Sequence, residues 1–338
     1  MDAKLLKKLD ENISKIVEVK KGELGFYYDH IEFIMDLGMP LFRIKQSINL
    51  EDYKQEFSQD FDYYTVERLL TKISPEVLKK YYELDSTGRL KRIRETDEDL
   101  GDECKFNREK GLILVLSNKY DYKCSLAHEL MHATNMDNDE DYLTPAILTE
   151  FISIFIETYA NDILPSLGFK EDEIDYMIRF KMSRDIEIKQ ILIPFIIKSK
   201  YGEINEENLL KLHEEKHYFD NIEDYNLEEM ANVINIQMMN FEIFGKPHQE
   251  RKYFMHILGM CLLSLKYDLS TCLAFYAREH LSVEQVLEIN ERLIMCPYLK
   301  VFTLLESYGI KLDDEFKEES LAAVSKYVEE HKKKKTYN

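Results

Sequence analysis

His128 and His132 stand four residues apart with Glu129 directly after the first, in the run His128-Glu129-Leu130-Met131-His132. If this segment is helical, the two imidazoles fall one turn apart on one face, with Cβ atoms roughly 6 Å from each other, within reach of a single ion. Glu129 is offset by about 100° around such a helix and can face a metal-bound water without being a ligand. H-E-x-x-H in this setting is the signature of zinc hydrolases.

Three fixed residue types recur by chance, and the chain holds a second match, His213-Glu214-Glu215-Lys216-His217. The residues inside each motif separate the two. A motif helix is buried on most sides, so the intervening positions should be apolar; Leu130 and Met131 satisfy this, whereas Glu215 and Lys216 are costly to bury unpaired. The second copy therefore reads as a solvated helix face with charge pairs four residues apart. The first copy also follows Gly111-Leu112-Ile113-Leu114-Val115-Leu116, a short apolar run that predicts a strand leading into a helix over Cys124–Asn135.

Two histidines do not complete a catalytic zinc site; a third protein ligand is required, with the fourth position open to water. Thr144-Pro145 opens a second helix, with Thr at the cap and Pro at the first helical position. The helix continues through Ala160 and is almost wholly apolar except for Glu150, Ser153 and Glu157. Seven residues at 100° each place Glu150 and Glu157 within about 20° of one face. Carboxylates on so apolar a helix need a partner, and a metal with its histidines would be one. An antiparallel return through the acidic turn at 137–141 would let Glu150 join His128 and His132 in a His2Glu site. Cys124, one turn before His128, would as a fourth ligand leave no position for water.

Glu150-Phe-Ile-Ser153-Ile-Phe-Ile-Glu157 behind an H-E-x-x-H helix resembles the second motif of the thimet oligopeptidase and oligoendopeptidase F family of zinc peptidases. The resemblance covers about residues 111–165. It implies the gluzincin arrangement, with His128, His132 and Glu150 as Zn2+ ligands, Glu129 as general base and Glu157 as a carboxylate supporting a ligand histidine; Asp137 and Asp139 are further candidates for that support. The chain has Met131 where the family usually has Gly, a shorter connection between the motifs, and a smaller overall length. The family also carries a late segment rich in Tyr and His that meets the oxyanion. Its counterpart here is His248 to Gly259, in which Tyr253 and His256 are the leading candidates and His248 a third.

Helical periodicity dominates the elements that must position these groups. It predicts helices over Lys4–Lys20, Tyr27–Leu37, Tyr64–Lys72, Pro75–Leu84, the two motif helices, Glu171–Lys198 with a kink at Pro194, Leu227–Phe244, Tyr253–Leu269, Val283–Ile294 and Glu315–Lys332. Strand signals are few: Cys104–Asn107 and Leu112–Leu116 flank Arg108-Glu109-Lys110-Gly111 as a hairpin. The expected fold is mainly α (α+β), a helical zinc-peptidase fold with a small β-hairpin beside the motif helix. The polar stretch 85–101 marks a division into a helical N-terminal lobe, 1–100, and a catalytic domain, 101–332, followed by a basic tail, 333–338; one continuous body is the alternative.

A net charge of −19 argues against a nucleic-acid partner, whose phosphates would be repelled. The first residues form an amphipathic pattern with interspersed acids, not a signal peptide, and no apolar run is long enough to span a membrane. Five cysteines with no C-x-x-C spacing fit reduced thiols, and the expected location is cytoplasmic. The expected activity is hydrolysis of peptide bonds in short peptides or flexible segments of a protein. The alternatives are a peptidase-fold binding or structural module and a dedicated single-substrate protease of effector or defence type.

Overall fold

A computed structural model describes residues 30–47, 63–93, 103–107, 111–117, 122–135, 146–168, 193, 196–197, 200–218, 226–232, 235, 266–293, 296 and 300–333. The elements are α1 (Ile31–Gln46), α2 (Tyr63–Ile73), α3 (Pro75–Ser86), β1 (Leu90–Ile93), β2 (Glu103–Asn107), β3 (Gly111–Ser117), α4 (Tyr122–Asn135) and α5 (Ala146–Ile163). They continue as a 3-10 turn at Leu164–Leu167, α6 (Glu206–Lys216), α7 (266–280), α8 (Val283–Leu293), α9 (Val301–Ser307) and α10 (Asp314–Lys333). The protein is mainly helical, as the periodicity predicts. The expected helices over Lys4–Lys20 and Glu171–Lys198 lie wholly or largely outside the described residues.

Local chemistry sets the path into the sheet. Ser74 caps α3, its Oγ accepting the Glu76 N–H at 3.1 Å, with Pro75 at the first helical position where no N–H is needed. The helix ends at Gly88, whose φ of 66° is one that side chains with a Cβ resist, and the Arg89 N–H donates to the Leu84 carbonyl at 2.8 Å. This reversal delivers Leu90 to the edge of a three-stranded sheet ordered β1-β3-β2. β2 and β3 are antiparallel with Asn107 opposite Gly111, the expected hairpin, while β1 runs parallel to β3 with Leu90 opposite Leu114.

The polar stretch 85–101, read from the sequence as a boundary, contains the strand β1. Leu90-Lys91-Arg92-Ile93 carries too little apolar pattern to announce a strand and is made one by backbone pairing with β3. The pairing also crosses the expected division between lobes near residue 100.

α4 lies against β2 and β3 on one side, packs along α5, and is flanked by α3; α5 in turn meets α2 and α8. Leu126, Ala127, Leu130, Met131 and Ala133 of α4 and Phe151, Ile152, Phe155, Ile156 and Ala160 of α5 are all buried. Each large side chain so buried contributes about 1.5–3 kcal/mol to the packing. One hydrophobic cluster links α1 to α10, so the two motif helices sit in the interior of the described protein. Among the described residues no helix is long and apolar enough to cross a membrane. Cys272 is buried and Cys296 half-buried; the side chain of Cys124 lies outside the described residues.

Candidate metal centre

Because α4 and α5 are apolar on nearly every side, their polar residues stand out as a buried cluster. His128, Glu129, Glu150, Ser153 and Glu157 are all buried, and His132 is 12% exposed at its side chain. The helical spacing of four residues brings His128 Nε2 and His132 Nε2 to 3.1 Å, with the rings edge to face. Glu150 Oε2, entering from α5, lies 3.6 Å from His128 Nε2 and 3.9 Å from His132 Nε2. His128, His132 and Glu150 thus form a group able to hold a metal ion.

The other ring nitrogens are engaged from α5. His128 Nδ1 is 3.0 Å from Glu157 Oε2, and His132 Nδ1 is 3.4 Å from Ser153 Oγ. A carboxylate only accepts, so His128 Nδ1 carries a hydrogen, and Nε2 is the ring atom that faces Glu150 and His132. Two ring nitrogens and a carboxylate oxygen this close need positive charge among them, from a proton or a cation.

Among the described residues Glu150 Oε2 is buried and has no hydrogen-bond partner, a costly state for a carboxylate oxygen. Its sister atom Oε1 accepts from Lys266 Nζ at 2.7 Å. Burial pushes the Glu150 carboxyl up, but the His128 ring, the Lys266 ammonium and the His132 ring outweigh it and hold the group well below the usual carboxylate range. It is therefore ionised and able to donate to a metal at neutral pH.

The donor set fits Zn2+. In a tetrahedral site with bonds of about 2.0–2.1 Å, ligand atoms lie about 3.3 Å apart. The observed separations of 3.1, 3.6 and 3.9 Å bracket that value. Two imidazoles and one carboxylate also leave a fourth position for water or substrate.

Lys266 is the contact that sequence reasoning missed. The signal was a lone cation ending the apolar run 257–265, which needs a buried anion just as the carboxylates of α5 need a cation. Tyr253, His256 and His248 lie outside the described residues, as do Asp137 and Asp139. In the second copy, α6 ends where the motif does: His217 is the C-cap, with a left-handed φ of 51°. Its rings are 5.5 Å apart, and the metal-capable group among the described residues does not include them. Glu207 and Lys211 on α6 make the expected pair four residues apart at 2.6 Å, while Lys216 reaches across to Asp36 of α1.

No protein-family model and no curated protein matches the sequence. Among solved structures, the chain is similar to a Bacillus anthracis str. Ames protein assigned as an oligoendopeptidase F, with a TM-score of 0.51 and 12% sequence identity. The match covers 91% of this chain and 56% of the other, so the chain spans little more than half the length of the protein it resembles. At that identity the likeness is one of fold alone; on that helical fold this chain carries a His-His-Glu group.

Proposed function

We propose that the protein is a zinc-dependent metallopeptidase of the gluzincin class, acting on peptide bonds in short peptides or flexible protein segments. The observation that supports this most directly is the convergence of His128 Nε2, His132 Nε2 and the unbonded, buried Glu150 Oε2 within 3.9 Å of one another. The likeness of fold to an oligoendopeptidase F agrees with it.

On this reading His128, His132 and Glu150 hold the metal, and Glu157 fixes the tautomer and orientation of His128 through Nδ1. Bound Zn2+ supplies Lewis acidity, polarising the scissile carbonyl and lowering the pKa of water toward 7. Glu129 accepts the proton of the attacking water on its carboxylate and delivers it to the leaving amine nitrogen. Tyr253 and His256 are proposed as donors to the developing oxyanion, a contribution of about 3 kcal/mol in comparable sites. The catalytic domain is proposed to span 101–332, with a peptide or protein as partner, neither nucleic acid nor membrane, and the cytoplasm as location.

The test is metal content of wild type and Glu150→Ala, with cleavage of a quenched-peptide library by wild type and Glu129→Gln. Stoichiometric zinc lost in Glu150→Ala, with cleavage lost in Glu129→Gln, is the expected result. Wild-type protein that folds but binds no zinc overturns the reading. Bound zinc with no cleavage of any peptide replaces it with a binding module or a single-substrate protease.

A further inference from the structure

Glu150 divides its two oxygens between two different surroundings. Oε2 faces the imidazoles of α4 at 3.6 and 3.9 Å, and Oε1 accepts from Lys266 Nζ at 2.7 Å. Lys266 enters from α7, remote in sequence from both motif helices, and its side chain is only 12% exposed. Its ammonium also lies 4.8 Å from the centroid of the Tyr267 ring, within the range of a cation–π contact.

A glutamate carboxylate can bind a metal through one oxygen or two and can swing about its own torsions. An ammonium held on one oxygen by a short charge-assisted hydrogen bond removes both freedoms. We propose that Lys266 is a positioning residue that clamps Glu150 Oε1, so that the carboxylate presents Oε2 alone to a divalent metal held with His128 and His132. The proposal rests on the metal-site reading given above.

Two physical consequences distinguish a clamp from a simple ion pair. The ordering of Glu150 is made during folding, so metal binding does not have to restrict a long side chain, an ordering that costs up to about 2 kcal/mol for glutamate. A lysine that merely neutralised Glu150 would compete with the cation for the carboxylate, and its removal would tighten metal binding. A clamp acts with the opposite sign.

The experiment is competition titration of the full-length metal-free chain with Zn2+ against a chromogenic chelator, for wild type, Lys266→Met, Lys266→Gln and Lys266→Arg. Visible absorption of the Co2+-loaded forms is recorded in parallel, because four-coordinate cobalt absorbs far more strongly than five- or six-coordinate cobalt. Lys266→Met is expected to bind zinc 10–100-fold more weakly, the range typical of groups that orient a ligand. Its cobalt bands should lose intensity as the second carboxylate oxygen joins the metal, and Lys266→Arg should restore both. If Lys266→Met does not fold by circular dichroism, Lys266→Gln, too short to reach Oε1, is read in its place with the same expectation. Unchanged or tighter zinc binding in the folded Met or Gln variant overturns the clamp while leaving the metal site standing. A wild type that binds neither ion overturns both.

Discussion

His128 Nδ1 and Glu157 Oε2 are 3.0 Å apart in the buried seam between α4 and α5. The contact couples a carboxylate to the far side of a candidate ligand ring, so that a span of eight residues of α5 supplies both a candidate metal donor, Glu150, and the support of another. Replacing Glu157 with Ala should weaken zinc binding 10–100-fold, and Glu157→Gln by less, since an amide oxygen still accepts from Nδ1. Competition titration reads both; equal binding in all three proteins would reduce Glu157 to a packing role.

Metal removal should lower stability, because the donors are pre-assembled in the folded chain and dispersed in the unfolded one. Free zinc at one hundred times its dissociation constant should stabilise the wild type by about 2.7 kcal/mol. Thermal melting with and without a chelator measures this. Glu150→Ala should show little zinc-dependent shift, and its metal-free form need not be weaker than wild type, since the orphaned Oε2 is gone, although Lys266 then loses the carboxylate it donates to.

The second motif should be silent toward metal. His213→Ala and His217→Ala should each retain wild-type zinc stoichiometry and affinity, because α6 ends at His217 and that pair forms no metal-capable group with a third donor among the described residues. Loss of one equivalent of zinc in either variant would show a second site.

A charged cluster joins α1 to α6. Lys216 Nζ lies 2.9 Å from Glu32 and 2.8 Å from Asp36, and Tyr218 donates to Asp36 at 2.6 Å. Burial pushes the Glu32 carboxyl up, but Lys216 and Lys200 outweigh it and hold it below its ordinary value of 4.5. A carboxyl lowered by folding adds stability above that ordinary value and loses it as pH falls through the folded one. Glu32→Gln should therefore cost stability near pH ~6 and little near pH ~3. With a side chain 40% exposed the effect is expected to stay below about 1 kcal/mol and to shrink in high salt. Urea unfolding at both pH values checks the sign.

The grouping of His128, His132 and Glu150 was legible because helical geometry is local: the spacing from His128 to His132 and from Glu150 to Glu157 already fixes which side chains share a face. That the two faces meet was also readable, since the face of α5 that carries Glu150 and Glu157 is otherwise largely apolar and leaves its carboxylates in need of a partner. What could not be read depended on distant partners. Lys266 could be seen as an isolated cation, but its anion is 116 residues away and is chosen by tertiary packing. β1 owes its existence to β3, and α9, a helix of 7 residues, is too short to show a period. The two H-E-x-x-H copies were told apart by what lies between the histidines, and the structure adds a second reason: α4 runs on to Asn135 beyond its motif, while α6 stops at its own.

All three candidate metal donors lie on two helices close in sequence, α4 and α5, and this bears on the order in which the chain assembles. The entropy of closing the connection between α4 and α5 grows only slowly with its length, so the histidines and Glu150 can meet as soon as these two helices dock. Lys266 arrives later, with a segment more than a hundred residues downstream in synthesis. A nascent chain would thus bring the three side chains together before Lys266 is made, and the proposed ordering of Glu150 Oε1 would be completed only when α7 docks.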